Sequence, residues 1–277
     1  PLYSSAASDV YKRQVLDGAL ATELEARGAN LNHALWSAKL LSENPSLIQQ
    51  VHEHYLQVGA NVIATASYQA SFLGFEKQGY TKEEAIHFLQ YSVQLALDAR
   101  QNYTNATQQN AENFPLIAAS IGPYGAALAD GSEYTGYKNV SVNELMFFHE
   151  ERLSVLANTA ADILAFETIP CVDEAIAIKE LLKSHPLKQA WVSFSCKDGK
   201  HLSSGELFED AVRLLDQSDQ IIGIGVNCTA PEHILSLIQI AKPLTRKTIL
   251  VYPNKGEVYN PIDKVWEPTN NCNLSFI

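Results

Sequence analysis

Short apolar runs that end in small or polar residues alternate along this chain with longer stretches whose apolar positions recur at helical spacing. The runs are Val15 to Gly18, Ala60 to Tyr68, Pro115 to Pro123, Asp162 to Pro170, Gln189 to Cys196, Ile221 to Cys228 and Lys247 to Asn254, giving seven candidate strands. They are apolar on both faces, the pattern of strands covered by helices on one side and by a packed interior on the other. Between them lie helix signals. Asn44 and Pro45 open an amphipathic stretch through Leu47, Ile48, Val51, Tyr55 and Val58 that Gly59 stops. Thr81 with Glu84 and Ser141 with Glu144 fit the capping box. Asp173 to Leu182 and Pro231 to Ala241 predict two more helices, and Ser120 to Asn143, rich in Gly, Tyr and Asp, predicts a loop large enough to be functional.

Strand and helix in repeated alternation imply a parallel sheet, either open and doubly wound or closed into a barrel. No Gly-x-Gly-x-x-Gly turn follows the first strand, which argues against the dinucleotide-binding form. The pattern favours the barrel and leaves the open sheet as the alternative; a barrel needs eight strands, so the fold class expected is α/β, a (β/α)8 TIM barrel with the eighth strand and helix missing from this chain. The 277 residues allow one domain, since such barrels commonly take roughly 250. Residues 1–14 are polar and aperiodic and are expected to be a non-native leader; 15–277 is expected to be one barrel domain, incomplete at its C-terminus.

A net charge of −11 with no basic patch argues against nucleic-acid or anionic-membrane partners. No apolar run approaches a membrane span. Four scattered cysteines do not make a disulfide framework, and with no secretory apolar segment at the start the expected location is the cytoplasm. The oligomeric state is left open.

In a parallel barrel, reactive groups gather at the C-terminal ends of the strands. Those ends carry Asp17-Gly18, Ser67-Tyr68, Gly122-Pro123-Tyr124, Glu167-Thr168, Ser195-Cys196, Asn227-Cys228 and Pro253-Asn254. None is a histidine or lysine, which argues against imidazole-based metal hydrolysis and Schiff-base chemistry. Asp17-Gly18 also has a plain reading as a turn with Gly at positive φ. Glu167 follows an apolar run, so it is expected to be largely buried and to need a partner. Cys171, Cys196 and Cys228 each also read as small buried hydrophobes.

Five ordered motifs change that balance: Asp17-Gly18-Ala19-Leu20-Ala21-Thr22-Glu23-Leu24, Gly59-Ala60-Asn61 with Thr65-Ala66-Ser67-Tyr68-Gln69, Ser120-Ile121-Gly122-Pro123-Tyr124-Gly125, Phe166-Glu167-Thr168-Ile169-Pro170, and Gly225-Val226-Asn227-Cys228. Together, from about Val15 to about Glu267, the chain resembles the zinc-dependent homocysteine S-methyltransferases of the free-standing kind that use S-methylmethionine or S-adenosylmethionine. The resemblance implies a methyltransferase that moves a methyl group from a sulfonium donor to zinc-bound homocysteine thiolate, giving methionine.

It further implies a Zn2+ ion held by three cysteines. Cys228 matches the first, and the other two are expected beyond Ile277. The chain as it stands is therefore expected to bind zinc poorly and to be inactive. Glu167 and Asp17 would hold the amino group of homocysteine, and backbone N–H groups near Gly18-Ala19 its carboxylate. Tyr68 and Tyr124 would flank the donor cation, with Trp36 a weaker candidate; Thr168 and Asn254 would line the pocket. The rival readings are a betaine-dependent enzyme on the same fold and a non-catalytic amino-acid-binding barrel fragment.

Overall fold

The computed structural model describes residues 14–107, 114–254, 257–260 and 265–268. Six of the seven expected strands form one parallel sheet in sequence order: β1 (Val62–Ala64), β2 (Leu116–Ile121), β3 (Ile163–Ile169), β4 (Ala190–Phe194), β5 (Ile221–Asn227) and β6 (Thr248–Tyr252). The first expected strand is reduced to a single parallel bridge, Leu16 to Val62, fixed by hydrogen bonds from Asp17 N to Val62 O and from Asn61 N to Val15 O. Sequential order, parallel direction and a helix after each of β1 to β5 curl the sheet into a half-barrel. A feature absent from the sequence reading is the antiparallel pair β7 (Glu257–Asn260) and β8 (Val265–Pro268), separate from the main sheet.

The helices are α1 (Leu20–Ala26), α2 (Leu40–Glu43), α3 (Pro45–Gln57), α4 (Phe72–Lys77), α5 (Lys82–Thr107), α6 (Tyr124–Leu128), α7 (Val142–Ala157), α8 (Val172–Leu182), α9 (Phe208–Asp216) and α10 (Pro231–Ala241). Both capping boxes form: Ser141 with Glu144 starts α7, and Thr81 exchanges bonds with Glu84 at the start of α5. Gly59, at φ 105°, stops α3 as expected. Asn44 sits at the head of α3, but its side chain makes no capping bond and accepts one from Ser46 Oγ instead. The expected loop after β2 holds α6 and a single 3-10 turn at Ser132–Tyr134.

Two apolar clusters sit on opposite faces of the sheet. The larger packs the helices onto it, through residues such as Leu24, Ile48, Leu89, Leu153, Ile178 and Val212, all fully buried. The smaller joins Val62, Ala118, Ile163, Ala165 and Trp191, with Leu16 and Leu250 against them. Because side chains alternate along a strand, the residue two further on lies on the same face. That step converts the apolar inner layer Val62, Ala118, Ala165, Trp191, Leu250 into Ala64, Ser120, Glu167, Ser193, Tyr252. The inner face thus turns from apolar to polar just where the strands end.

Gly223 and Gly225 on β5 have no side chain because none fits. A Cβ at Gly225 would lie 2.1 Å from Leu250 O, and one at Gly223 2.5 Å from Leu250 Cδ1. Among the described residues no helix is long and apolar enough to cross a membrane.

Candidate active site

The polar layer is hydrogen-bonded into one assembly. Ser120 Oγ donates to Glu167 Oε2 at 2.6 Å, and Tyr252 Oη donates to Glu167 Oε1 at 3.1 Å. Tyr252 Oη also meets Ser193 Oγ at 2.5 Å and receives Trp191 Nε1 at 3.3 Å. Glu167 is thereby fixed in orientation while remaining half-buried, more open than the sequence suggests. Burial raises its carboxyl above the ordinary value, against the pull of the Ser120 and Tyr252 bonds.

Asp17 projects into the same space from the neighbouring segment. Its Oδ2 accepts the Ala64 N–H at 2.9 Å. Burial holds its carboxyl well above the usual range, and the charge of Glu167 adds to the rise. Two carboxylates that repel each other at one mouth form a site for a cation, whose arrival removes the cost of ionising both.

Beside them β3 and β5 end in unusual backbone. Thr168 has φ 62° and Cys228 φ 47°, conformations that a β-branched residue in particular avoids. Asn227 holds both in place. Its Oδ1 accepts Thr168 N and Ser193 Oγ, each at 2.8 Å, and its Nδ2 donates to Thr168 Oγ1 at 2.7 Å. The amide also lies 3.4 Å from Cys228 Sγ, and Thr168 Oγ1 lies 3.8 Å from that sulfur. Left-handed backbone at Cys228 turns the thiol into the mouth, where Tyr134 hydrogen-bonds it. Burial pushes the thiol up to about 11, and Glu167 contributes to the rise, so the sulfur stays protonated at neutral pH until a cation joins it.

Gly18 serves by its size. It is not at positive φ, so the turn reading gives way to a packing one: a Cβ there would lie 2.7 Å from the Tyr55 hydroxyl. Tyr55 Oη in turn donates to Ala19 O at 3.2 Å, leaving Gly18 and Ala19 exposed at the rim. Tyr68 lies deep in the mouth, edge-on to Trp36 with ring centroids 6.1 Å apart, and next to Thr168 and Cys228. Tyr124 is placed differently. Its ring stacks edge-on against Tyr137 and Phe148, and its backbone N–H donates to Glu174 Oε1 at 2.7 Å. Asn254, half-buried, is tied by its N–H to Thr229 O. Cys196 is packed in the larger apolar core, and Cys171 is buried at the start of α8.

Sequence reading missed Ser120 and Tyr252 as partners of Glu167, and Ser193 as the partner of Tyr252, although their two-residue offset from the apolar inner layer is a usable signal. It also missed a buried network behind the mouth. Arg152, 1% exposed, donates to Gly122 O at 2.5 Å and Ala70 O at 3.3 Å, bracing the ends of β1 and β2. Its guanidinium also meets His149 Nδ1 at 3.1 Å, and His149 Nε2 meets Glu174 Oε1 at 2.7 Å. Burial lowers His149, so the ring is neutral, accepting from Arg152 and donating to Glu174.

Among the described residues no group of three His, Cys, Asp or Glu side chains is placed to hold a metal ion. Among those residues the mouth holds one thiol, that of Cys228, fewer than the three protein ligands a catalytic metal site ordinarily uses. This donor set is not complete on its own.

Residues 14–274 match the family model described as Homocysteine S-methyltransferase. The chain is 50% identical over 259 residues to the Bacillus subtilis protein named Homocysteine S-methyltransferase YbgG, covering 93% of this chain and 82% of that one. It is 45% identical over 252 residues to the Escherichia coli Homocysteine S-methyltransferase, covering 91% and 81%. The crystal structure of the homocysteine methyltransferase MmuM from Escherichia coli, in its metallated form, superposes with a TM-score of 0.86 at 41% identity, covering 95% of this chain and 91% of that one.

Proposed function

Since this chain belongs to the homocysteine S-methyltransferase family and is a methyltransferase, we propose that its methyl donor is a sulfonium, S-methylmethionine or S-adenosylmethionine, and that homocysteine is the acceptor. The thiolate sulfur of homocysteine forms the new C–S bond. The donor's S–CH3 bond breaks with its electron pair moving to the departing sulfur, which leaves as a neutral thioether. Because the donor is already activated by its charge, the residues serve mainly to position both partners in line.

The observation that carries the reading is the pairing of Asp17 and Glu167, two carboxylates at one mouth beside the Cys228 thiol. They are the counter-ions for the α-ammonium of homocysteine. Ser120 and Tyr252 hold Glu167 at the angle that meets it. Exposed backbone at Gly18 and Ala19 suits the carboxylate of the same substrate. Thr168 and Asn227 orient the Cys228 sulfur, and Asn254 borders the pocket. Tyr68 presents an aromatic wall to the donor cation; Tyr124 packs edge-on against Tyr137 and Phe148.

The metal we assign is Zn2+, with Cys228 as one of its ligands. When bound, zinc with an open position would stabilise the homocysteine sulfur as thiolate at neutral pH. The metallated state of the MmuM structure supports a metal in this family. The six parallel strands and the Leu16 segment are read as seven strands of a (β/α)8 barrel forming one domain.

Protein that carries the complete set of three metal ligands, supplied with homocysteine, S-methylmethionine and zinc, is expected to form methionine with no other cofactor. Methionine formed with betaine, and with neither sulfonium, would overturn the donor assignment.

A further inference from the structure

Among the described residues, seven buried side-chain nitrogen or oxygen atoms make no hydrogen bond, and four of them belong to one place: Tyr68 Oη, Gln69 Oε1, Ser132 Oγ and Glu133 Oε2. Buried polar atoms are nearly always paired, so a cluster of unpaired ones marks where a ligand completes the bonding. Tyr68 and Gln69 follow β1; Ser132 and Glu133 form the 3-10 turn in the segment after β2.

The two pieces are locked together. Gln69 Nε2 donates to Ala126 O at 3.2 Å, which fixes the amide with its oxygen unused. A Cβ on the adjacent Gly125 would lie 2.5 Å from Glu133 N, so the turn packs directly on the start of α6. Ser195 Oγ at the end of β4 donates to Glu133 O at 2.7 Å and holds the turn over the mouth. Glu133 itself is 6% exposed.

We propose that Glu133, with Gln69 and Tyr68, receives the α-ammonium group of an amino-acid sulfonium donor. This assignment rests on the sulfonium reading above. The Gln69 carbonyl oxygen is a pure acceptor, and so is the Glu133 carboxylate once ionised, so the partner that satisfies both is a cationic donor of N–H bonds. A sulfonium centre has no N–H, and neither has a quaternary ammonium such as betaine. The ammonium at the other end of S-methylmethionine has three.

Placement agrees with that division of labour. Tyr68 neighbours Glu133 as well as Thr168 and Cys228, so a donor with its ammonium at Glu133 can reach along the Tyr68 ring toward the acceptor sulfur. Burial, with the charge of Asp130 adding to it, pushes the Glu133 carboxyl up to about 7, a cost that an arriving cation removes. Glu133 is therefore distinct in role from Asp17 and Glu167, which face the acceptor.

The test compares S-methylmethionine with 4-(dimethylsulfonio)butanoate, the same sulfonium without the amino group, in wild-type protein and in Glu133→Gln. Calorimetric affinities for both are measured alongside KM for homocysteine. In wild type S-methylmethionine should bind more tightly. Glu133→Gln should weaken it on the order of 10- to 100-fold, the scale of a charge-assisted bond. Affinity for the deaminated analogue and KM for homocysteine should not change, so the preference between donors collapses. Gln69→Leu, which removes the second acceptor without touching Glu133, should weaken S-methylmethionine several-fold by the same selective pattern and serves if Glu133→Gln does not fold. Equal losses for both sulfoniums, or none for either, overturn the role of Glu133. Wild-type protein that binds neither sulfonium overturns the donor reading itself.

Discussion

Glu167 is the residue on which acceptor binding turns. Both its oxygens are engaged by hydroxyl groups, so Gln can replace it with little change in shape while losing the charge. In protein that carries the complete set of metal ligands, Glu167→Gln is expected to lower kcat/KM for homocysteine by roughly 100-fold, the scale of a hydrogen bond to a charged group inside a protein, and to leave metal content unchanged. Steady-state kinetics beside metal analysis checks it; homocysteine kinetics like wild type would remove Glu167 from the site.

Glu133 allows a separate test without substrate. Its folded-state value is raised from 4.5 to about 7, so the folded chain holds the proton more tightly than the unfolded one. Below about 4.5 the carboxyl is protonated in both states and costs nothing. As pH rises through about 7, stability is lost, by up to about 3 kcal/mol in total. Relative to wild type, Glu133→Gln should therefore gain stability between pH 4.5 and 7 and hold that gain above it. Urea unfolding of both proteins at pH 4.5 and pH 8 measures this, and an offset independent of pH would count against a buried, unpaired carboxylate.

At the scale of elements, the ends of β3 and β5 are one unit tied by Asn227. Removing its amide strands the buried Thr168 N–H and frees two backbone turns held at positive φ. Asn227→Ala should cost about 3 kcal/mol and lower Tm by roughly 5–10 °C, with activity lost at temperatures where the protein is still folded. A thermal scan that overlays wild type would show that the two strand ends hold their shape unaided. The network of Arg152, His149 and Glu174 does the equivalent work for β1 and β2, reaching from α7 and α8 to the backbone of Gly122 and Ala70. In the sequence these residues read as ordinary helix polar positions. Only the crossing of α7 behind the strand ends makes Arg152 a brace.

Over the whole molecule, the curl of the sheet decides which residues share a mouth. Asp17, Glu167 and Cys228 are 150 and 61 positions apart in turn, and they meet because parallel strands place every C-terminal end on one rim. The same rule made them legible in advance. Strand positions, both capping boxes and the α10 boundaries followed from local pattern, because period and capping are short-range physics, whereas the family came from the resemblance of the ordered motifs. The first strand shrank to the Leu16 bridge, and the β7–β8 pair was not foreseen; pairing partners, which a linear pattern does not contain, decide both.

The sequence by itself determined the alternation of parallel strands and helices, the chemistry at each strand end and the family to which the chain belongs. Tertiary structure alone decided what those groups do to one another. It turned Tyr124 back against Phe148 and left Tyr68 in the mouth. It placed Ser120 and Tyr252 on the two oxygens of Glu167. It also buried Glu133 with an oxygen unpaired. The reason is physical: propensity and periodicity act over a few residues, whereas hydrogen-bond satisfaction and desolvation depend on which distant segments close over a group.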